Sequence, residues 1–139
     1  RPAGAVLVSP MLDLAARDAT YQSNAQSDAL FSRQSVLDVA ALYLQGHDAA
    51  DPLVSAIEAD PRAFPPLLLL VGGSEVLVGE TLAFAARLAR ADQTVRLHVA
   101  AGMGHVWPMM MPGSEPARAA IAAIADFAQA TLRAGSAAQ

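Results

Sequence analysis

Two side chains in this sequence have the types and placement for acid–base chemistry. His105 ends the run Gly102-Met103-Gly104-His105, just past a β-like segment and just before a helix. Glu75 follows Gly72-Gly73-Ser74, just past another apolar run. A carboxylate and an imidazole one strand–helix–strand unit apart, each at a strand's C-terminal end, can meet on one edge of a parallel sheet. There the carboxylate accepts one ring N–H, fixes the tautomer and stabilises the imidazolium, while the other ring nitrogen serves as a general base. That is two-thirds of a hydrolytic triad. The third part is a serine in a Gly-x-Ser-x-Gly turn between a strand and a helix, and the chain has none. Gly72-Gly73-Ser74-Glu75-Val76 begins correctly but places Val76 where the second glycine belongs. No His-Gly-Gly-Gly loop is present to supply oxyanion donors.

Plainer roles compete for the same residues. A loop histidine can cap a backbone carbonyl, and an acid near a helix start interacts well with the helix dipole. Glu80 fits that second role better than Glu75. His47 follows a helix-ending glycine and reads as solvated, and His98 lies within an alternating strand at the surface or core edge. Ser9, Ser32, Ser35, Ser55 and Ser114 read as strand-end, loop or cap residues.

The elements that must position Glu75 and His105 follow from apolar periodicity. Ala5 to Ser9 is a strand closed by Pro10. Residues 15 to 34 are polar and without period, a long excursion of the kind used in lids and binding segments. Ser35 opens a helix over 36 to 44, with Asp38 completing a capping box and Gly46 as the stop. Asp51 to Ser55 reads as extended because of Pro52. Leu67 to Val71 is a strand buried on both faces. A helix over Glu80 to Ala91 presents Leu82, Phe84, Ala85, Leu88 and Ala89, and Val95 to Val99 alternates as a strand. A last helix runs from Ser114-Glu115-Pro116 to about Arg133 with Ile121, Ile124, Ala125, Ala128 and Leu132 on one face. The tail, 134–139, is small and polar and reads as frayed. Strands alternating with helices give an α/β fold with a parallel sheet. Three strands leave that sheet incomplete, with unpaired edges.

The bulk numbers exclude several classes. The chain has 139 residues, one domain's worth. It is 54% hydrophobic with a mean hydropathy of +0.34. Its densest apolar run is too short to span a bilayer. A net charge of -4 and a pI near 5.1 argue against nucleic acid as a partner. With no cysteine there are neither disulfides nor thiolate metal sites. The sequence opens on Arg1-Pro2-Ala3-Gly4 without a leader-like segment, so it reads as the middle of a larger protein, and a cytoplasmic location is the expectation.

Four segments, in order, resemble the C-terminal half of the α/β-hydrolase fold as found in hormone-sensitive-lipase-like carboxylesterases. Val8-Ser9-Pro10-Met11-Leu12-Asp13-Leu14 is similar to the strand leading into that family's cap. Asp51-Pro52-Leu53-Val54-Ser55 is similar to its Asp-Pro-Leu-x-Ser-Pro segment, with Ala56 in place of the second proline. Pro65 to Leu77 resembles the strand and turn that deliver the acid, and Gly102-Met103-Gly104-His105-Val106-Trp107 resembles the histidine loop.

The resemblance implies that Glu75, aligned on Leu77, is the acid and His105 the base. It implies that residues 15–46 form a cap-like excursion, with Leu30, Phe31 and Tyr43 as apolar lining for an ester substrate. No metal or organic cofactor is implied. The implied partners are a small ester and the N-terminal half of the same fold, which would hold the serine and the oxyanion glycines; a homo-oligomer is left open. Two other readings stay open at this point: part of a prolyl-oligopeptidase-type serine peptidase, and a non-catalytic binding or assembly module on the same scaffold.

Overall fold

The computed structural model describes residues 2–137. Three strands, β1 (Ala5–Val8), β2 (Leu67–Gly72) and β3 (Val95–Ala100), form a parallel sheet in the order β1-β2-β3. The helices are α1 (Thr20–Ser23), α2 (Arg33–Leu44), α3 (Val78–Arg90), α4 (Trp107–Met110) and α5 (Glu115–Ala137). Two short 3-10 turns, Ala56–Glu58 and Pro61–Ala63, precede β2.

The uniformly apolar sequence of β2 suits the centre of this sheet, because alternate side chains serve two cores. Leu68 and Leu70 pack with Trp107, Ala117, Ala120 and Phe127 beneath α5. Leu67 and Leu69 pack with Leu12, Phe84, Ala85 and Leu88 beneath α3. The sheet is thus covered on both faces, and all three strands end on the same rim. β1 and β3 are its edges.

The strand and helix order matches the sequence reading, but several boundaries and faces differ. α2 starts earlier: Ser32, not Ser35, is the N-cap, and it exchanges hydrogen bonds with Ser35 in a reciprocal capping box. The chain leaves α2 through Gln45, whose φ of 47° takes the left-handed role before Gly46. Asp51 to Ser55 is a turn, not an extended run. The N–H groups of Val54 and Ser55 both donate to the Asp51 carbonyl, and that of Leu53 donates to the Asp51 side chain.

The buried stripe of α3 is Val78, Thr81, Phe84, Ala85 and Leu88, leaving Leu82 and Ala89 exposed. That of α5 is Ala117, Ala120 and Phe127 with Ile124 beside it, leaving Ile121 and Leu132 at 49% and 64% exposure. Both helices carry apolar residues on more than one side, so periodicity alone did not choose the stripe. The small Ala117 and Ala120 let α5 approach the sheet, and Phe127 fills the space beyond them. α5 continues through Ala137, so residues 134–137 of the expected frayed tail are helical. The last two residues, 138–139, lie outside the described residues.

Candidate active site

The rim brings together three loops. Ser9 follows β1, the turn of residues 72–76 follows β2, and residues 101–106 follow β3. The second and third loops are locked to each other: Gly73 N–H donates to the Ala100 carbonyl at 2.8 Å and Ser74 N–H to the Met103 carbonyl at 3.0 Å. Gly72 makes this crossing feasible. A Cβ there would lie 2.2 Å from the Met103 carbonyl oxygen, where no side chain fits.

Glu75 and His105 meet over this rim. Glu75 Oε2 lies 3.0 Å from His105 Nδ1, and the Glu75 side chain is 0% exposed. Its other oxygen, Oε1, accepts from Gly72 N–H at 2.5 Å and from Ser9 Oγ at 2.7 Å. Two donors on Oε1 leave Oε2 for the imidazole. An acceptor at Nδ1 favours the tautomer with its proton there, which leaves Nε2 as an acceptor turned away from the carboxylate. The next residue, Val106, has φ of 46°, uncommon for a β-branched residue. Its N–H donates to Ser9 Oγ at 2.9 Å.

The excursion reaches back to the same turn. Asn24 Nδ2 donates to the Gly73 and Glu75 carbonyls at 3.1 and 2.8 Å, and Ser27 Oγ donates to that of Ser74 at 3.0 Å. Asp28 accepts from Val76 N–H through one oxygen and from the Leu30 and Phe31 N–H groups through the other. The Phe31 ring then meets His105 edge-on, with centroids 4.7 Å apart. An apolar cavity of about 110 Å³ lies between Ser9, Met11, Phe31, Val36, Val39, Leu77 and His105. On its other side, His105 borders a wider groove with Leu30, Trp107, Met110 and Met111.

Of the three residues expected to line a pocket, Phe31 and Leu30 therefore stand beside His105. Tyr43 does not. It lies one helical turn beyond Val39 on α2, is 63% exposed, and borders neither space. Sequence reasoning missed Ser9, Asn24 and Asp28. Ser9 carried a usable signal, a small polar residue at a strand's C-terminal end in an open α/β sheet. Asn24 and Asp28 carried none for this site, because the bonds that tie them to the turn around Glu75 go to backbone groups about fifty residues away. Of the other histidines, His47 is exposed, and His98 is half-buried and stacks on Trp107 at 6.0 Å.

Glu80 does more than sit at a helix start. It is buried, and its carboxylate accepts from Leu12 N–H at 2.6 Å, Asp13 N–H at 3.3 Å and Tyr21 Oη at 2.8 Å. Burial pushes its pKa up to about 7, against the downward pull of those donors. Burial, with the neighbouring Glu80 charge, raises the Tyr21 hydroxyl too. Asp13 is also buried, which would raise it, but the hydrogen bonds from Arg17 and two backbone N–H groups hold it below the ordinary carboxylate range.

This arrangement carries a pH prediction. The folded-state value of Glu80 lies above the ordinary 4.5, so the folded chain holds this proton more tightly than the unfolded one. The stability it confers is complete below about 4.5 and is lost as pH rises through about 7. Urea unfolding at pH 5 and pH 8 should show a loss on the order of 2 kcal/mol that the Glu80→Gln variant lacks. Equal losses in both proteins would refute the assignment.

Among the described residues, no helix is long and apolar enough to cross a membrane, and no group of three or more His, Asp or Glu is arranged to hold a metal ion.

Comparison with known proteins gives a consistent result. A family model described as the alpha/beta hydrolase fold matches residues 1–109. An acetyl-hydrolase of Streptomyces hygroscopicus is 32% identical over 126 residues, covering 91% of this chain and 42% of that protein. An esterase of Acinetobacter venetianus is 32% identical over 128 residues, with the same coverage of each. Among solved structures, an esterase of the bacterial hormone-sensitive lipase family superposes with a TM-score of 0.86 at 36% identity, over 91% of this chain and 42% of that one. A hormone-sensitive lipase from a metagenome library superposes with a TM-score of 0.87 at 30% identity, over 94% of this chain and 45% of that one. The chain spans less than half the length of these relatives.

Proposed function

The chain belongs to the α/β-hydrolase fold family, and from that premise we propose that it carries the acid and the base of a serine carboxylic-ester hydrolase. His105 Nε2 takes the proton of a serine hydroxyl as that oxygen attacks the ester carbonyl. It returns the proton to the departing alkoxide, leaving an acyl-enzyme and free alcohol. Water then attacks the acyl-enzyme in the same way, with His105 again accepting and returning the proton, to release the acid. Glu75 holds the ring and stabilises the imidazolium. The serine and the oxyanion donors come from the portion of the fold that the relatives have and this chain does not span. The cavity walled by Phe31, Val36 and Val39 receives an apolar end of the ester.

One observation carries this reading: a fully buried carboxylate 3.0 Å from Nδ1 of a histidine at the C-terminal rim of a parallel sheet. The esterases among the relatives, and the helix-bearing excursion packed over the acid's turn, favour ester over peptide hydrolysis. The 139-residue chain alone is expected to leave a short-acyl nitrophenyl ester intact, and hydrolysis should appear when the remainder of the fold is supplied. Robust hydrolysis by the chain alone would overturn the proposal.

A further inference from the structure

We propose that Ser9 is a positioning residue for this reaction, its hydroxyl fixing Glu75 against His105 while anchoring the backbone that carries the histidine. The proposal rests on the reading above. It starts from an anomaly in the backbone. Ser9 is 5% exposed and adopts φ of 49°, in the left-handed region that disfavours a side chain. Its own N–H donates to the Leu70 carbonyl at 2.7 Å, continuing the ladder of β1 beyond the strand's end. Such a conformation persists where surrounding bonds over-determine it, and it concentrates at functional sites.

Those bonds close a ring. Val106 N–H donates to Ser9 Oγ at 2.9 Å, and Ser9 Oγ donates to Glu75 Oε1 at 2.7 Å. Glu75 Oε2 meets His105 Nδ1 at 3.0 Å, and the peptide bond from His105 to Val106 completes the circuit. One hydroxyl therefore restrains His105 at both ends, its ring through the carboxylate and its backbone through Val106. Val106 is itself left-handed, so the histidine loop has a second disfavoured residue that this bond helps hold.

The same geometry excludes Ser9 as the nucleophile. Its only proton goes to Glu75, and no hydrogen bond joins its hydroxyl to the imidazole, whose Nδ1 is engaged by the carboxylate. Its task is to keep Oε1 occupied, together with Gly72 N–H. Glu75 then cannot rotate away when the ring becomes charged.

The test uses the complete hydrolase and two variants, Ser9→Ala and Ser9→Gly. Glycine tolerates the left-handed backbone, so Ser9→Gly removes the hydroxyl without adding strain and decides the matter if Ser9→Ala does not fold. The expected result in Ser9→Gly is a kcat lower by about ten- to a hundredfold with KM within about twofold. The downfield proton resonance of His105 Nδ1–H should also broaden or move upfield. A purely structural role would reduce the amount of folded protein but leave kcat per folded molecule and that resonance in place. Wild-type kcat and an unchanged resonance in Ser9→Gly would overturn the proposal. If His105→Ala is dead at the same time, the esterase reading survives; if His105→Ala is active, that reading falls as well.

Discussion

Replacing His105 with alanine in the complete hydrolase is expected to lower kcat for ester hydrolysis by about a million-fold, leaving the residual rate that substrate binding and oxyanion donors provide. In the proposed mechanism the imidazole moves the serine proton and Glu75 does not, because Glu75 is buried behind it with both oxygens engaged. Glu75→Gln should cost about ten-thousandfold, and the hydrogen bonds say why. Ser9 Oγ and Gly72 N–H both donate to one carboxylate oxygen. A glutamine satisfies them only by placing its carbonyl there, which turns its NH₂ toward Nδ1. The ring must then accept at Nδ1 and carry its proton on Nε2, the wrong tautomer for a base. Steady-state kinetics with a nitrophenyl ester measures both effects. Either variant keeping more than about a tenth of the wild-type rate would remove these residues from the mechanism.

Gly72→Ala should destabilise the fold by about 3 kcal/mol or more and silence the site without touching either ionisable residue. The added methyl would stand 2.2 Å from the Met103 carbonyl oxygen and 2.8 Å from that of Gly104. Both are backbone atoms, so no side-chain rotation relieves the clash. The loop ending in His105 must lift off the turn that carries Glu75, breaking the Ser74-to-Met103 hydrogen bond. Urea denaturation reads the stability, and the proton resonance of His105 Nδ1–H reports the lost contact. Gly104→Ala is the control, since nothing lies within 4 Å of a Cβ there. Comparable stability in the two variants would show that the crossing is more compliant than its geometry indicates.

The order of strands and helices along the chain was legible because β2 is apolar without interruption and each strand is bounded by turn residues. The meeting of Glu75 and His105 was legible for the same reason, since parallel strands in one sheet end on one rim. What was not legible depends on tertiary choice. Ser9 carries only the general signal of a small polar residue at a strand's end, and its partners are fixed when the acid and histidine loops close around it. Asn24 and Asp28 sit in a polar stretch with no period, and their partners are carbonyls and N–H groups that sequence patterns do not mark. The faces of α3 and α5 were misread at Leu82, Ala89, Ile121 and Leu132 because alanine-rich helices offer several apolar stripes of similar width. Tyr43 has the chemistry of a pocket wall but lies a turn past the cavity that Val36 and Val39 border.

The bonds from Asn24, Ser27 and Asp28 to the turn around Glu75 bear on recombination between relatives. An engineer wishing to reshape the apolar cavity would graft the whole span 15–46 from a relative. That exchange would also replace the residues that brace the turn around Glu75, so a chimera would loosen the Glu75–His105 contact while gaining the desired cavity. A crossover point after Ser32 separates the two jobs. Exchanging residues 33–46 alone then replaces Val36 and Val39 in the cavity wall, while the brace under Glu75 stays native.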